Sequence, residues 1–299
     1  MATHHTPPLR WNIGEVSITR IVEREVPIRL DALIAEASAQ ALTPHMDWLS
    51  PHFIDGTGTL YRLSIHALVI ESKGLRIIVD TCIGEHRTQG MDVLDVPVQP
   101  FLKQLSAAGF ARETIGRVLC THLHFDHVGW NTMRVNDEWT PTFPNARYLF
   151  SQREWEHWRS HPQREDWSLA QETVAPLMKA GLAQFVEMDF ALTPEVRLIP
   201  TPGHTPGHVS VLIESKGKRA LITGDLTHHP VQWAEPDWGT VADVDSRVAA
   251  ATRRHLIKRY ASDNELLVIG THYPAPCSGY LSRAGKHVIL KTREESGSN

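Results

Sequence analysis

Apolar and polar positions alternate along parts of this chain, or run together in short β-branched stretches, and each such stretch predicts a strand. VSITRIVEREV (16–26) and LYRLSIHALVIES (60–72) carry the pattern, since β-branched residues suit a pleated, half-buried surface. Lys73-Gly74 then reads as a turn into LRIIVD (75–80), so 60–80 is a hairpin that leads into a buried strand. RVLCTH (117–122), ARYLFS (146–151), VRLIPT (196–201), HVSVLIES (208–215), RALITGD (219–225) and LLVIG (266–270) are further strands, with Lys216-Gly217 as a second hairpin turn.

Other segments repeat their apolar residues every three or four positions, which is the period of a helix face. They are DALIAEASAQAL (31–42), VQPFLKQLSAAGF (98–110), QREWEHWRSH (152–161), LAQETVAPLMKAGL (169–182) and VDSRVAAATRRHLIKRYA (244–261). The Pro, His and Gly content of 44–58 reads as a loop available to an active site. Both halves interleave sheet and helix, without a short-period repeat or a long Gly/Ser or Pro linker. The expected fold class is α/β, with two sheets face to face and helices outside. One domain over 1–299 is expected, with the N-terminal ~10 and C-terminal ~8 residues flexible.

Composition narrows the class. Of the 299 residues, 41% are hydrophobic and 21% charged, a globular mix that can bury a core around a defined site. Thirty Lys and Arg against 34 Asp and Glu leave −4, with neither sign gathered into a block, which argues against a nucleic-acid partner. Apolar runs such as HALVI (66–70) fall far short of the roughly 20 residues that cross a bilayer, so no membrane partner is expected. MATHHTPPLRW has no apolar stretch after a basic start, and a cytoplasmic location is the resulting expectation. Cys82, Cys120 and Cys277 are odd in number, widely spaced and without a CxxC pair. They read as free, buried thiols.

The densest chemical signal is THLHFDHVGW (121–130), where His122, His124, Asp126 and His127 fall together just after a buried strand. Alternate residues of an extended backbone share a face, so His122 and His124 converge on one metal. Asp126 and His127 are adjacent, and a turn or helix start there points them at a neighbouring position, which suggests two metals. Imidazole with carboxylate is a zinc ligand set, with iron, manganese or cobalt as substitutes. TPGHTPGH (201–208) displays His204 on a Pro/Gly loop, whereas His208 opens the next strand and reads as structural. LITGDL (221–226) leaves Asp225 at a strand tip, where one carboxylate can bridge two cations, and LLVIGTHYP (266–274) delivers His272 the same way. Alone, each is an ordinary turn residue or cap; their recurrence at four strand ends argues for a shared site.

In this order, HLHFDH, GHTPGH, GD and THYP resemble the metallo-β-lactamase superfamily, over about residues 60–275. The resemblance implies a four-layer αβ/βα sandwich, the metallo-β-lactamase fold, with its site at one edge. It also implies that His122, His124 and His204 hold one metal, that Asp126, His127 and His272 hold the other, and that Asp225 bridges them. Asp80 matches a family aspartate that supports the histidine ligands from behind. The cofactors so implied are two divalent metal ions, Zn2+ first, with Fe, Mn or Co as substitutes; the family also points to a homodimer.

Two metals about 3.5 to 4 Å apart can hold a water between them and lower its pKa toward 7. The expected activity is therefore hydrolysis of small-molecule lactones or esters by a metal-bridging hydroxide, with Asp126 helping to move the proton. Asp225 stands where the zinc β-lactamases typically carry cysteine, and His124 where the flavo-diiron branch carries glutamate. GDLTHHPVQW (224–233) looks most like the branch that holds acyl-homoserine lactonases, pyridoxolactonase-like enzymes and methyl parathion hydrolase. Lactonases of that branch often place tyrosine three positions after the bridging aspartate. His228 stands there instead, as in the organophosphate-hydrolase subgroup, which opens a promiscuous phosphotriesterase activity and makes His228 a candidate to contact substrate oxygen. Trp130, Trp139, Trp155, Trp158 and Trp167, with Phe125, Trp233 and Trp238, would suit an apolar pocket, although each is read first as a packing residue. Two other readings stay open. One is a glyoxalase-II-like thioesterase, for which Arg253, Arg254, Lys258 and Arg259 would hold glutathione; the other is a non-hydrolytic diiron or metal-binding protein.

Overall fold

The computed structural model describes residues 8–84, 100–162, 165–261 and 266–292. Its N-terminal half contains β1 (Arg10–Ile13), β2 (Val16–Arg29), β3 (Leu60–Ser72), β4 (Leu75–Val79), β5 (Arg117–Leu119), β6 (Thr132–Val135), β7 (Glu138–Pro141), β8 (Arg147–Ser151) and β9 (Ala183–Val186). Seven of these form a sheet in the order β1-β2-β3-β4-β5-β8-β9, and β6 and β7 form a separate hairpin. The C-terminal half contains β10 (Ala191–Thr193), β11 (Val196–Pro200), β12 (Val209–Ser215), β13 (Lys218–Ile222), β14 (Leu266–Ile269), β15 (Ser278–Ala284) and β16 (His287–Lys291), which lie side by side in chain order. In the first sheet β4, β5, β8 and β9 run parallel; in the second only β13 and β14 do.

Alternation along the strands sets the layers. Leu68 and Ile70 of β3 join Ile18, Ile77 and Val79, and meet Leu198, Val211 and Ile213 of the second sheet. Their neighbours Ala67 and Val69 project the other way, onto Phe101, Leu105, Trp158 and Leu177 from the covering helices. Because side chains alternate with a period of two, a one-residue slip would exchange these faces, and the buried pattern fixes the register. The helix Ser246–Tyr260 adds Leu256 and Tyr260 to the second sheet's side. Two seven-stranded sheets packed face to face with helices outside are the α/β sandwich anticipated from the sequence.

Several elements differ from the periodicity reading. The helix expected over 31–42 is two short pieces, Leu30–Leu33 and Ala39–Leu42, because Ile34 and Ala37 turn into the core between them. Ser38 then accepts the Ala41 amide and starts the second piece. Within 44–58 the chain makes helical turns at Thr43–His45 and Met46–Leu49. The helix expected over 169–182 is Glu165–Thr173 followed by Ala175–Lys179; Pro176, lacking an N–H, suits only the first turn of the new helix. The helix expected over 98–110 is Phe101–Ala107, and positions 98 and 99 lie outside the described residues. The strand expected over 219–225 stops at Ile222, and Gly224–Leu226 form a 3-10 turn. All three cysteines are buried and unpaired, as read. Among the described residues no helix is long and apolar enough to cross a membrane.

Candidate metal centre

His122, His124, Asp126 and His127 follow the C-terminal end of β5, His204 follows β11, Asp225 follows β13 and His272 follows β14. The structure brings all seven together, with His228 beside them. His124 keeps an extended backbone, and this turns His122 and His124 to one side as the alternation required. Their facing nitrogens, His122 Nε2 and His124 Nδ1, are 3.0 Å apart, and His204 Nε2 lies 3.2 and 2.8 Å from them. The helix Phe125–Val128 then swings Asp126 and His127 to the neighbouring position. His127 Nε2 lies 3.5 Å from Asp126 Oδ1, and His272 Nε2 lies 3.5 Å from Asp126 Oδ2. Among the described residues, three groupings gather their ligand atoms within 4.8 Å: His122, His124, His204 and Asp225; Asp126, His127 and His272; and Asp225, His228 and His272.

Protons behind the cluster decide what it presents in front. Asp80, at a left-handed φ of 58°, turns back so that the Thr121 amide donates to Oδ1 at 2.7 Å and the Thr121 hydroxyl to Oδ2 at 2.9 Å. With its hydrogen so used, that hydroxyl accepts from His122 Nδ1 at 3.1 Å. His127 Nδ1 donates to Asp80 Oδ2 at 2.9 Å, His204 Nδ1 to Asp243 Oδ1 at 2.9 Å, and His272 Nδ1 to the Ser64 carbonyl at 3.0 Å. In the neutral ring the other nitrogen is then a lone-pair acceptor. Four Nε2 atoms therefore aim lone pairs at the Asp225 carboxylate, from 3.7 Å (His122), 3.3 Å (His127), 3.4 Å (His204) and 3.1 Å (His272).

Lone pairs facing a carboxylate repel unless something positive lies between them. His127 Nε2 and Asp225 Oδ1 are buried without a hydrogen-bond partner, a costly arrangement for polar atoms. Divalent cations at the two positions would satisfy both, and the His/Asp donor set suits them. The nitrogen triangle of 2.8 to 3.2 Å is close to the edge of about 3.3 Å that tetrahedral nitrogens subtend at metal–nitrogen bonds of about 2 Å. Electrostatics separates the two positions. Burial pulls His122 and His204 well below the usual imidazole range, which keeps their lone pairs free. Burial also acts on His127 and His272, but Asp225 and Asp126 outweigh it and push both upward. Asp225 is held well below the carboxylate range because His127, His272, His228 and His122 overcome the effect of its burial.

The supporting residues were only partly foreseen. Asp80 takes the supporting place expected of it, and His208 is structural as read. Its Nδ1 donates to the Thr201 carbonyl and its Nε2 accepts the Asp225 amide at 2.8 Å, while burial brings it down to about 4. Gly224 makes this contact possible, since its φ is 55° and a Cβ there would lie 2.5 Å from His208 Nε2. Asp243 was missed, because an acidic residue shortly before a helix reads as a cap. The cap is in fact Asp245, which accepts the Arg247 and Val248 amides. Glu154 was missed too; it lies in the Trp-rich helix Gln152–Arg159, where the pattern drew attention to the indoles.

The tryptophans are mostly frame. Trp130, Trp158 and Trp233 are buried, and their indole N–H groups donate to Glu23, Glu154 and the Tyr273 hydroxyl. Trp155 packs on Phe185. The Trp167 side chain lies outside the described residues. Phe125 is half-buried and packs against the core under the helices. Arg253 is unavailable to a glutathione, being fully buried and donating to the carbonyls of Pro236, Leu226 and Trp238.

Fold and cluster together define a candidate His/Asp metal centre where strand ends of both sheets meet. The chain belongs to the metallo-β-lactamase superfamily, whose family model matches residues 60–272, and it is a metal-dependent hydrolase. It is 25% identical over 226 residues to an N-acyl homoserine lactonase of Bacillus cereus, covering 71% of this chain and 83% of that one. The N-acyl homoserine lactonase AttM of Rhizobium radiobacter is 25% identical over 240 residues, or 73% of this chain and 85% of that one. Among solved structures, AidC, a dizinc quorum-quenching lactonase with a product N-hexanoyl-L-homoserine, superposes with a TM-score of 0.77 at 22% identity, covering 97% and 99% of the two chains. The hydrolase AbOPH superposes with a TM-score of 0.79 at 21% identity, covering 98% and 100%.

Proposed function

We propose that the protein is a dinuclear lactonase that opens N-acyl homoserine lactones or closely related small esters, with zinc as the working metal. His122, His124 and His204 would hold one cation, Asp126, His127 and His272 the other, with Asp225 shared between them. The observation that carries this reading is the shared Asp225 carboxylate, approached by Nε2 atoms of both histidine sets. The lactonase relatives supply the substrate class. Two bound cations supply Lewis-acid polarisation of an ester carbonyl and a water of lowered pKa.

This chain's own side chains do the rest. Asp126 is the more exposed of the two acidic members, with 13% of its side chain open against 3% for Asp225, so it is the carboxylate that solvent and substrate reach. It accepts the proton of the attacking water and returns it to the departing alkoxide. His228 differs from the four supported histidines because its Nδ1 is buried without a partner while its Nε2 lies 3.0 Å from Asp225 Oδ2. No carbonyl or carboxylate behind it fixes its proton, so we assign it to hold substrate oxygen. A histidine at this position in place of tyrosine also favours a secondary activity on phosphotriesters.

One panel tests the reading: homoserine lactones of several acyl lengths, aryl esters, a paraoxon-like triester and S-lactoylglutathione, assayed on one metal-analysed preparation. Lactones are expected to turn over best, with triesters slower. Turnover of the thioester alone would overturn the assignment. His228→Ala is expected to lower kcat while the metal content stays unchanged.

A further inference from the structure

Glu154 lies in the first turn of the helix Gln152–Arg159 and is 1% exposed. Its Oε1 accepts the Leu123 amide at 3.1 Å and the Trp158 indole N–H at 2.7 Å; its Oε2 accepts the Gly207 amide at 3.0 Å. Each oxygen therefore accepts from an N–H, one from each loop and one from the Trp158 indole. Leu123 sits between His122 and His124, and Gly207 is three residues after His204. One carboxylate thus grips the two loops that carry all three nitrogens of the 2.8 to 3.2 Å triangle. The approach is close: a Cβ on Gly207 would lie 2.2 Å from the Glu154 backbone nitrogen, so the second loop seats directly against the helix start.

We propose that Glu154 is a positioning residue that ties the 121–127 loop to the 201–208 loop and so shapes the three-histidine pocket before a cation enters it. The inference rests on the metal-centre reading above. Groups that orient metal ligands from behind typically contribute about 10- to 100-fold to metal affinity. Here the orientation acts on loop backbones instead of on a ring nitrogen. Glu23 provides an internal comparison, since it is an equally buried carboxylate that accepts the Ile83 and Gly84 amides and the Trp130 indole, but it accepts no backbone amide from the 121–127 or 201–208 loops.

The test is cobalt binding, measured by competition with a chelator and by the visible spectrum of the bound ion, on wild type, Glu154→Gln and Glu23→Gln. Glutamine can keep the oxygen that meets Leu123 and Trp158, but it turns an NH2 toward the Gly207 N–H and releases that loop. Glu154→Gln is expected to bind one of two cobalt ions at least about tenfold more weakly, with an altered spectrum and an unchanged far-UV circular dichroism. Glu23→Gln is expected to keep both affinities within about twofold even if its Tm falls. Wild-type affinity and spectrum in Glu154→Gln would overturn the proposal. Should that variant fail to fold, hydrogen exchange of the wild-type apoprotein decides. Protected Leu123 and Gly207 amides support the clamp, and fast exchange at both refutes it. A wild type that binds two cobalt ions yet hydrolyses no lactone would remove the proposed substrate and leave this inference standing.

Discussion

In the N-terminal half, β3 turns at Lys73-Gly74 into β4, and the chain crosses back to lay β5 parallel beside it; in the C-terminal half, β12 turns at Lys216-Gly217 into β13 and crosses to lay β14 beside it. Even the turns match, with φ of 52° and 77° in the first and 50° and 75° in the second. The ends of these strands are used differently. After β5 a single short stretch provides His122, His124, Asp126 and His127, placed by local chain geometry. The C-terminal half provides His204, Asp225 and His272 singly, after three different strands, placed by sheet register. A ligand set spanning both halves exists only when the two sheets are packed, so the metal centre reports on the whole fold.

The largest break in this comparison is Asp225→Ala, because Asp225 is approached by Nε2 atoms of both histidine sets. We expect about a thousandfold loss in kcat/KM and loss of both metals by elemental analysis; two metals retained would show that Asp225 is no shared ligand. Next come His204→Ala and His272→Ala, which should each empty a different position and leave one cation per chain, so that cobalt spectra of the two variants differ. Identical spectra would contradict two separate positions. Smaller is the effect of the carboxylates behind the rings. Asp80→Asn in the N-terminal half and Asp243→Asn in the C-terminal half should each weaken metal binding by about 10- to 100-fold, Asp80→Asn acting on the His127 position and Asp243→Asn on the His204 position.

Acidification should separate the positions again, with a shift in pH instead of a loss of function. A proton competes with the cation for each Nε2, and it competes up to a higher pH where the imidazole is pushed upward. His127 and His272 are raised and His122 and His204 are lowered, so the Asp126/His127/His272 position should empty first as pH falls. Stepwise dialysis of the His204→Ala and His272→Ala proteins reads the order directly, and release in the reverse order would refute it. The smallest effect concerns the twin turns. Neither Gly74 nor Gly217 has an atom within 4 Å of an added Cβ, so Gly→Ala there costs only the left-handed backbone, about 1 kcal/mol. Both variants should lose the same stability in denaturant melts, with activity intact.

The two halves also differed in how readily they could be read. HLHFDH announced itself because its four side chains are neighbours in sequence, and extended geometry was enough to turn His122 and His124 together. His204, Asp225 and His272 looked like turn residues one at a time, and their recurrence at strand ends, then their order along the chain matched to a family, joined them to the first group. Hairpins and crossovers were legible because their periods are local. The strands β1, β15 and β16 were not, since β1 has only four residues and β15 and β16 lack a long β-branched run. The helices expected over 31–42 and 169–182 were broken by residues drawn into the core and by Pro176, which a periodicity count does not register.

By itself, then, the sequence determined which residue types stand at the strand ends and which faces of the strands are buried, because both follow from chain-local spacing. Which nitrogen of each histidine faces the centre was decided by tertiary structure, through Thr121, Asp80, Asp243 and the Ser64 carbonyl, partners remote in sequence for His127, His204 and His272. The same holds for Glu154 and His208. A hydrogen bond needs its donor and acceptor within about 3 Å, and for such remote partners only the packed sheets bring that about.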